Sequence, residues 1–175
     1  LGDVLLSTPV LDALRGRFPE AGITVLVKKR AAQVLAGNPN VDEIAVYDAV
    51  ERYHSPRWLF RLARGLRRAR FDLAVDLTGD HRSSALLLLS DPGFRVGFNH
   101  SGCGFLLDRS IPYRAEGHVV DHLLGATEAV GAAPRTRAPR IYLSDEERAR
   151  GRELLRSAGV ADGRRALVVS PGANW

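Results

Sequence analysis

The chain has 175 residues, 45% of them hydrophobic and 26% charged, and its net charge of +5 is carried almost entirely by arginine. This composition excludes a disordered segment, and no run of about 18 consecutive apolar residues is available for a membrane-spanning helix. The single Cys103 excludes an internal disulfide or a cysteine metal centre, and as a lone thiol it reads as a small buried residue. The basic balance favours phosphates, acidic sugars or an anionic membrane surface as partners, or else reflects an arginine-rich composition alone. No secretory signal pattern is present, so the cytoplasm is the expected compartment.

The chain contains no Met and opens with Leu on what reads as the exit of a strand, so a strand is expected to precede it in a longer protein. Gly2 lets the backbone turn after such a strand, and Asp3 falls at a helix start. There the free N–H groups and the helix dipole hold a carboxylate ionised. That placement suits a general base, and it equally suits a simple helix cap. Pro9 allows two solutions. Either the regular helix starts late, with Ser7 or Thr8 as its cap, or it starts near Asp3 and bends at the proline. In both, Leu11, Leu14 and Phe18 face the core.

Ile23 to Val27 reads as a strand, about 30 to 36 as a short helix, Gly37-Asn38-Pro39-Asn40 as a turn and Glu43 to Tyr47 as a second strand. A strong helix follows over Pro56 to Arg70. It carries Trp58, Leu59, Leu62 and Leu66 on one side and Arg57, Arg61, Arg64 and Arg68 on another. Such a helix either lies against an anionic surface or covers the sheet with a solvated basic face. Phe71 to Asp76 is a strand that delivers Leu77-Thr78-Gly79-Asp80 as a loop, before a helix from about Arg82 to Leu89. Phe94 to Phe98 is a further strand, 99 to 104 a loop, Gly117 to Val130 a helix and 132 to 139 a linker. Ile141 to Leu143 is extended, and Ser144 and Glu147 form a capping box for a charged helix ending near Ser157. Ala166 to Val169 reads as a strand and 170 to 175 as the loop leaving it.

Short strands alternating with helices define an α/β fold with a doubly wound parallel sheet. Ligands of such sheets sit beyond the carboxyl ends of the strands, where both Gly2-Asp3 and the loop Thr78 to Arg82 fall. Asp76-Leu77-Thr78-Gly79 partly matches the nucleophile loop of aspartyl-phosphate enzymes, but Asp80 replaces its second Thr and no carboxylate cluster for Mg²⁺ accompanies it. No Gly-x-Gly-x-x-Gly or Walker phosphate loop is present. His118 and His122, four residues apart on a helix, are either a packed pair or two ligands of an incomplete metal set. No metal, cofactor or nucleic-acid partner is expected.

Leu1 to Pro9, the segment Phe71 to Gly79 with Arg82-Ser83, Arg95-Val96-Gly97-Phe98, His118-Val119-Val120-Asp121 and Val169-Ser170-Pro171-Gly172-Ala173 together resemble the heptosyltransferase family of lipopolysaccharide core assembly, glycosyltransferase family 9. The resemblance implies the GT-B architecture of two facing Rossmann-like domains. Residues 1–138 would be the acceptor-binding domain lacking its first strand, and 139–175 a linker and the start of the donor domain. It further implies an inverting transfer of a heptose or related sugar from an ADP-sugar donor to a lipid-linked acidic oligosaccharide, at the inner face of the inner membrane. Asp3 would be the general base. Gly2, Thr8, Thr78, Gly79, Arg82, Arg57, Arg61 and Arg64 would bind the acceptor, and Ser170, Gly172 and Ala173 the donor. Such a segment alone would be inactive. The alternative is a non-catalytic, anion-binding doubly wound domain.

Overall fold

The structure, a computed structural model, describes residues 1–47, 55–112, 117–160, 167 and 169. Two compact units divide the chain, Leu1–Ile141 and Tyr142–Trp175. The first begins with two helices in series, α1 (Gly2–Leu6) and α2 (Thr8–Arg17). Both sequence-level solutions for Pro9 are thus realised at once: helix starts at Gly2, breaks at Ser7 and resumes with Pro9 in its first turn. Pro9 has no N–H for the Leu5 carbonyl, and the Thr8 hydroxyl donates to that carbonyl instead at 2.8 Å, while the Ser7 hydroxyl serves Val4 at 2.8 Å.

Strands β1 (Thr24–Lys28) and β2 (Glu43–Tyr47) pair in parallel, joined by a 3₁₀ helix over Lys29–Leu35. The turn after that helix uses Gly37 at φ +68° and buried Asn38, whose side-chain oxygen accepts the Asn40 N–H at 3.0 Å. Helix α3 (Pro56–Ala69) ends on Arg70 in the left-handed region and leads into β3 (Leu73–Asp76). Helix α4 (His81–Ser90) follows, then β4 (Phe94–Phe98), a 3₁₀ turn over Gly104–Leu106, β5 (Arg109–Ile111) and α5 (Val119–Glu128). Strands β3, β4 and β5 form a second parallel sheet in that order. Among the described residues the two sheets are not hydrogen-bonded to one another.

Helix α2 supplies the core on two sides. Val10 and Ala13 pack with Val120 and Leu124 of α5 and with Ala132, whereas Leu11 packs with Val27, Ala31 and Leu35 beneath β1 and β2. Leu124 is 2% exposed, a position where truncation to Ala costs about 2–5 kcal/mol. Leu14 joins the first cluster as expected, while Phe18 ends α2 half-buried under the Arg17 guanidinium.

The second unit holds α6 (Asp145–Ser157). Ser144 accepts the Glu147 N–H at 3.1 Å and Glu147 accepts the Ser144 N–H at 2.8 Å, so the capping box forms as its residues require. The strand expected over Ala166 to Val169 and the loop after it lie largely outside the described residues. Among the described residues no helix is long and apolar enough to cross a membrane.

Candidate active site at the carboxyl edge

Gly2 and Asp3 are exposed in the first turn of α1, whose N-cap is Leu1. The helix has no side-chain cap bond, so Asp3 is not a capping residue and its carboxylate stands at the positive end of a short helix. Thr8 is 4% exposed. Its hydroxyl donates to the Leu5 carbonyl and accepts the Arg140 N–H at 3.0 Å, which ties the broken helix to the segment that closes the first unit.

The loop after β3 is built around Asp76. Its Oδ1 accepts the N–H groups of Thr78 at 2.8 Å and Gly79 at 3.2 Å, and its Oδ2 accepts the Ser83 hydroxyl at 2.6 Å. Burial pushes the Asp76 carboxyl above its usual range, against the hydrogen bonds from Ser83, Thr78 and Gly79. A buried carboxyl with both oxygens engaged is an organiser of the turn and not an attacking nucleophile, which removes the aspartyl-phosphate reading. Asp80 then caps α4 by accepting the Arg82 and Ser83 N–H groups, both at 2.8 Å.

Gly79 is buried at φ +70°, and a Cβ there would lie 2.8 Å from the Phe98 carbonyl oxygen and 3.2 Å from the His100 ring. Only glycine fits both the conformation and the approach. Thr8 and Gly79 are buried, while Thr78 is exposed and Arg82 is half-buried. Leu6 at the end of α1 and Leu77 just after β3 pack against the same core cluster.

Arg57, Arg61 and Arg64 are exposed on α3. The donor-site residues Ser170, Gly172 and Ala173 lie outside the described residues.

Sequence reading missed a cleft of about 290 Å³ where β4 and β5 end against α5. Phe98, Ile111, Pro112, Leu124 and Pro134 give it an apolar floor, and Asp121, His122, Glu128 and Arg137 supply its polar groups. Arg137 holds Asp121 at 2.5 Å, which raises the guanidinium pKa further. The His118–His122 pairing considered from spacing does not form. His118 instead caps α5 by accepting the Val120 N–H at 3.2 Å, and His122 faces His100. Cys103, expected to be buried, is only half-buried ahead of the 3₁₀ turn.

Parallel β-α units with their polar loops gathered beyond the strand ends are the Rossmann-like half of a GT-B glycosyltransferase, and the chain belongs to glycosyltransferase family 9 (heptosyltransferase), whose family model matches residues 59–175. It is 26% identical over 179 residues to lipopolysaccharide heptosyltransferase 3 of Escherichia coli, a match covering 98% of this chain and 52% of that protein. The protein of the same name from Escherichia coli strain K12 is 25% identical, with 98% and 51% covered. The chain thus spans about half the length of these curated relatives. The crystal structure of the glycosyl transferase family 9 protein from Veillonella parvula DSM 2008 superposes with a TM-score of 0.82 at 25% identity, over all of this chain and 53% of that one. The E. coli ADP-heptose lps heptosyltransferase II structure shares the fold, with a TM-score of 0.68 at 19% identity over 91% of this chain and 48% of that one.

Proposed function

We propose that the full-length protein is an inverting glycosyltransferase that moves a heptose or related sugar from an ADP-sugar donor to the acidic inner core of lipopolysaccharide. Residues 1–138 form its acceptor side and 139–175 lead into its donor side. The observation that carries this reading is family membership combined with the position of Asp3, exposed and uncapped at the start of α1. An inverting transfer needs one base to take the acceptor hydroxyl proton and cationic or N–H groups for the departing diphosphate. Asp3 supplies the first. The second belongs to the donor side, which is why residues 1–175 alone are expected to be inactive. Thr78, Arg82 and the arginine face of α3 meet the acceptor, Gly2 lets Asp3 approach it, and Thr8 and Gly79 hold the rim in shape. The acceptor is lipid-linked, so the enzyme works at the inner face of the inner membrane, where α3 also meets anionic headgroups.

The test is the Asp3→Asn variant of the full-length enzyme. Asn preserves shape, so the thermal midpoint and donor affinity are expected to hold while kcat falls about 10²- to 10⁴-fold. Turnover within a few-fold of the parent removes Asp3 from catalysis. A parent enzyme that binds acidic core oligosaccharide yet transfers no sugar from any ADP-heptose favours the anion-binding alternative.

A further inference from the structure

We propose that the exposed face of α3 lies on an anionic lipid bilayer with the Phe60 ring inserted below the headgroups. The inference rests on the reading of a lipid-linked acceptor and deepens it by naming the side chain that enters the membrane. At about 100° per residue, Arg57, Phe60, Arg61, Arg64, Arg67 and Arg68 fall within an arc of about 120°, and all six are exposed. The half-buried and buried residues Trp58, Leu59, Leu62, Ala63 and Leu66 occupy the opposite side of the helix. Phe60 is not one of them. It is 60% exposed and stands inside the arginine face, with Arg57 one turn before it and Arg64 one turn after.

Charge decides the sign of the partner. Helix α3 contains no acidic residue, and among the described residues only Arg67 of this face is in an ion pair, with Asp91 at 2.9 Å. The other four arginines leave a positive field that favours an anionic surface, and their planar guanidinium groups pair well with phosphate oxygens.

Phe60 decides the kind of partner. A free acidic oligosaccharide can neutralise the arginines, but it leaves the ring in water. A bilayer is apolar just beneath its phosphates, so the ring leaves water there while the long arginine stems keep their charged ends at phosphate level. Phe105 provides the contrast. It is 82% exposed in the 3₁₀ turn over Gly104–Leu106, yet no arginine lies within three residues of it in sequence.

The experiment is co-sedimentation of the full-length protein with large unilamellar vesicles free of lipopolysaccharide. One set contains phosphatidylethanolamine and phosphatidylglycerol, the other phosphatidylcholine alone. The parent is expected to bind the anionic vesicles in a salt-dependent way and to ignore the neutral ones. Phe60→Ser should weaken that partition about ten-fold or more, the loss expected when a large apolar side chain no longer leaves water. Its thermal midpoint should hold, because the ring is exposed. Phe60→Trp, suited to the same depth, should bind as the parent does, and so should Phe105→Ser. The proposal is overturned by a parent that binds anionic vesicles no better than neutral ones, by Phe60→Ser binding at the parent's level, by Phe60→Trp as weak as Phe60→Ser, or by an equal loss in Phe105→Ser. Transfer to a soluble, delipidated core acceptor is measured beside it. Vesicle binding without transfer removes the transferase reading and keeps the bilayer contact, whereas transfer without vesicle binding does the reverse.

Discussion

At the scale of single residues, Asp76 shows how a buried carboxyl can organise a loop and still oppose its own ionisation. Burial raises its pKa in the folded state, so the folded chain holds this proton more tightly than the unfolded one does. The sign follows: the carboxyl's contribution is most favourable below the unfolded value near 3.9, and it declines as pH rises from there through the folded value. Asn at 76 keeps the oxygen that accepts from Thr78 and Gly79, and its amide donates to Ser83 Oγ, freeing the Ser83 hydroxyl for the Asp80 carbonyl 2.9 Å away. Asp76→Asn is therefore expected to match or exceed the parent's thermal midpoint at pH 7 and to remove this part of the pH dependence. Asp76→Ala strands buried donors and costs about 1–3 kcal/mol for each. Equal losses for Asn and Ala in a thermal melt would show that the negative charge itself is required. Ser84, 1% exposed on α4, has a hydroxyl with no hydrogen-bond partner among the described residues. Removing that buried hydroxyl in Ser84→Ala should leave stability unchanged or slightly raised.

Among the elements, α3 and α2 differ in how much of them the sequence discloses. Helix α3 packs against α4, with Trp58, Leu59, Leu62 and Leu66 half-buried and Arg57, Arg61, Arg64 and Arg68 exposed, so its pattern is readable apart from the exposed Phe60. Helix α2 is wedged between α5 and the β1-β2 sheet, and its apolar residues go two ways. Strand β5 is invisible to pattern because Arg109-Ser110-Ile111 has neither length nor alternation; it exists because β4 offers it an edge. The loop after β3 was legible because its turn chemistry is local, from Gly79 at positive φ to the Asp80 cap of α4. The candidate site was illegible where partners are distant in sequence, as with His100 and His122, which spacing along a helix mispaired. The arginine face gives its own prediction. Replacing Arg57, Arg61 and Arg64 with Gln in the full-length enzyme should raise acceptor KM and flatten its dependence on ionic strength, since exposed charges act through a screened field. The same acceptor kinetics as the parent at low and high salt would leave these arginines as a solvated face only.

Across the whole first unit, the two edges of the sheets divide the work. The Asp76-organised loop leaves the carboxyl end of β3, while the amino edge of each sheet is closed by an arginine-carboxylate clasp. Asp42, just ahead of β2, accepts the Ile23 N–H at 2.6 Å and pairs with Arg15 of α2. Asp108, just ahead of β5, accepts the Arg95 N–H of β4 and two bonds from its guanidinium, all at 2.9 Å. Both carboxyls have lowered pKa values, Asp42 chiefly through the Ile23 N–H and Asp108, at about 2, through the Arg95 side chain. A depressed folded-state pKa contributes stability that is complete above the unfolded value near 3.9 and is lost as pH falls through the folded value. Acidification from pH 5 to pH 2 should therefore weaken the amino edge, while Asp76 at the opposite end of β3 titrates in the stabilising direction. The measurement is the thermal midpoint against pH for the parent and for Asp108→Asn. The variant is expected to be less stable at pH 5 and to converge on the parent near pH 2, because protonation has by then undone the same clasp in both. Parallel curves across that range would mean that the Asp108 clasp contributes no acid sensitivity, and that acid unfolding begins at other carboxylates.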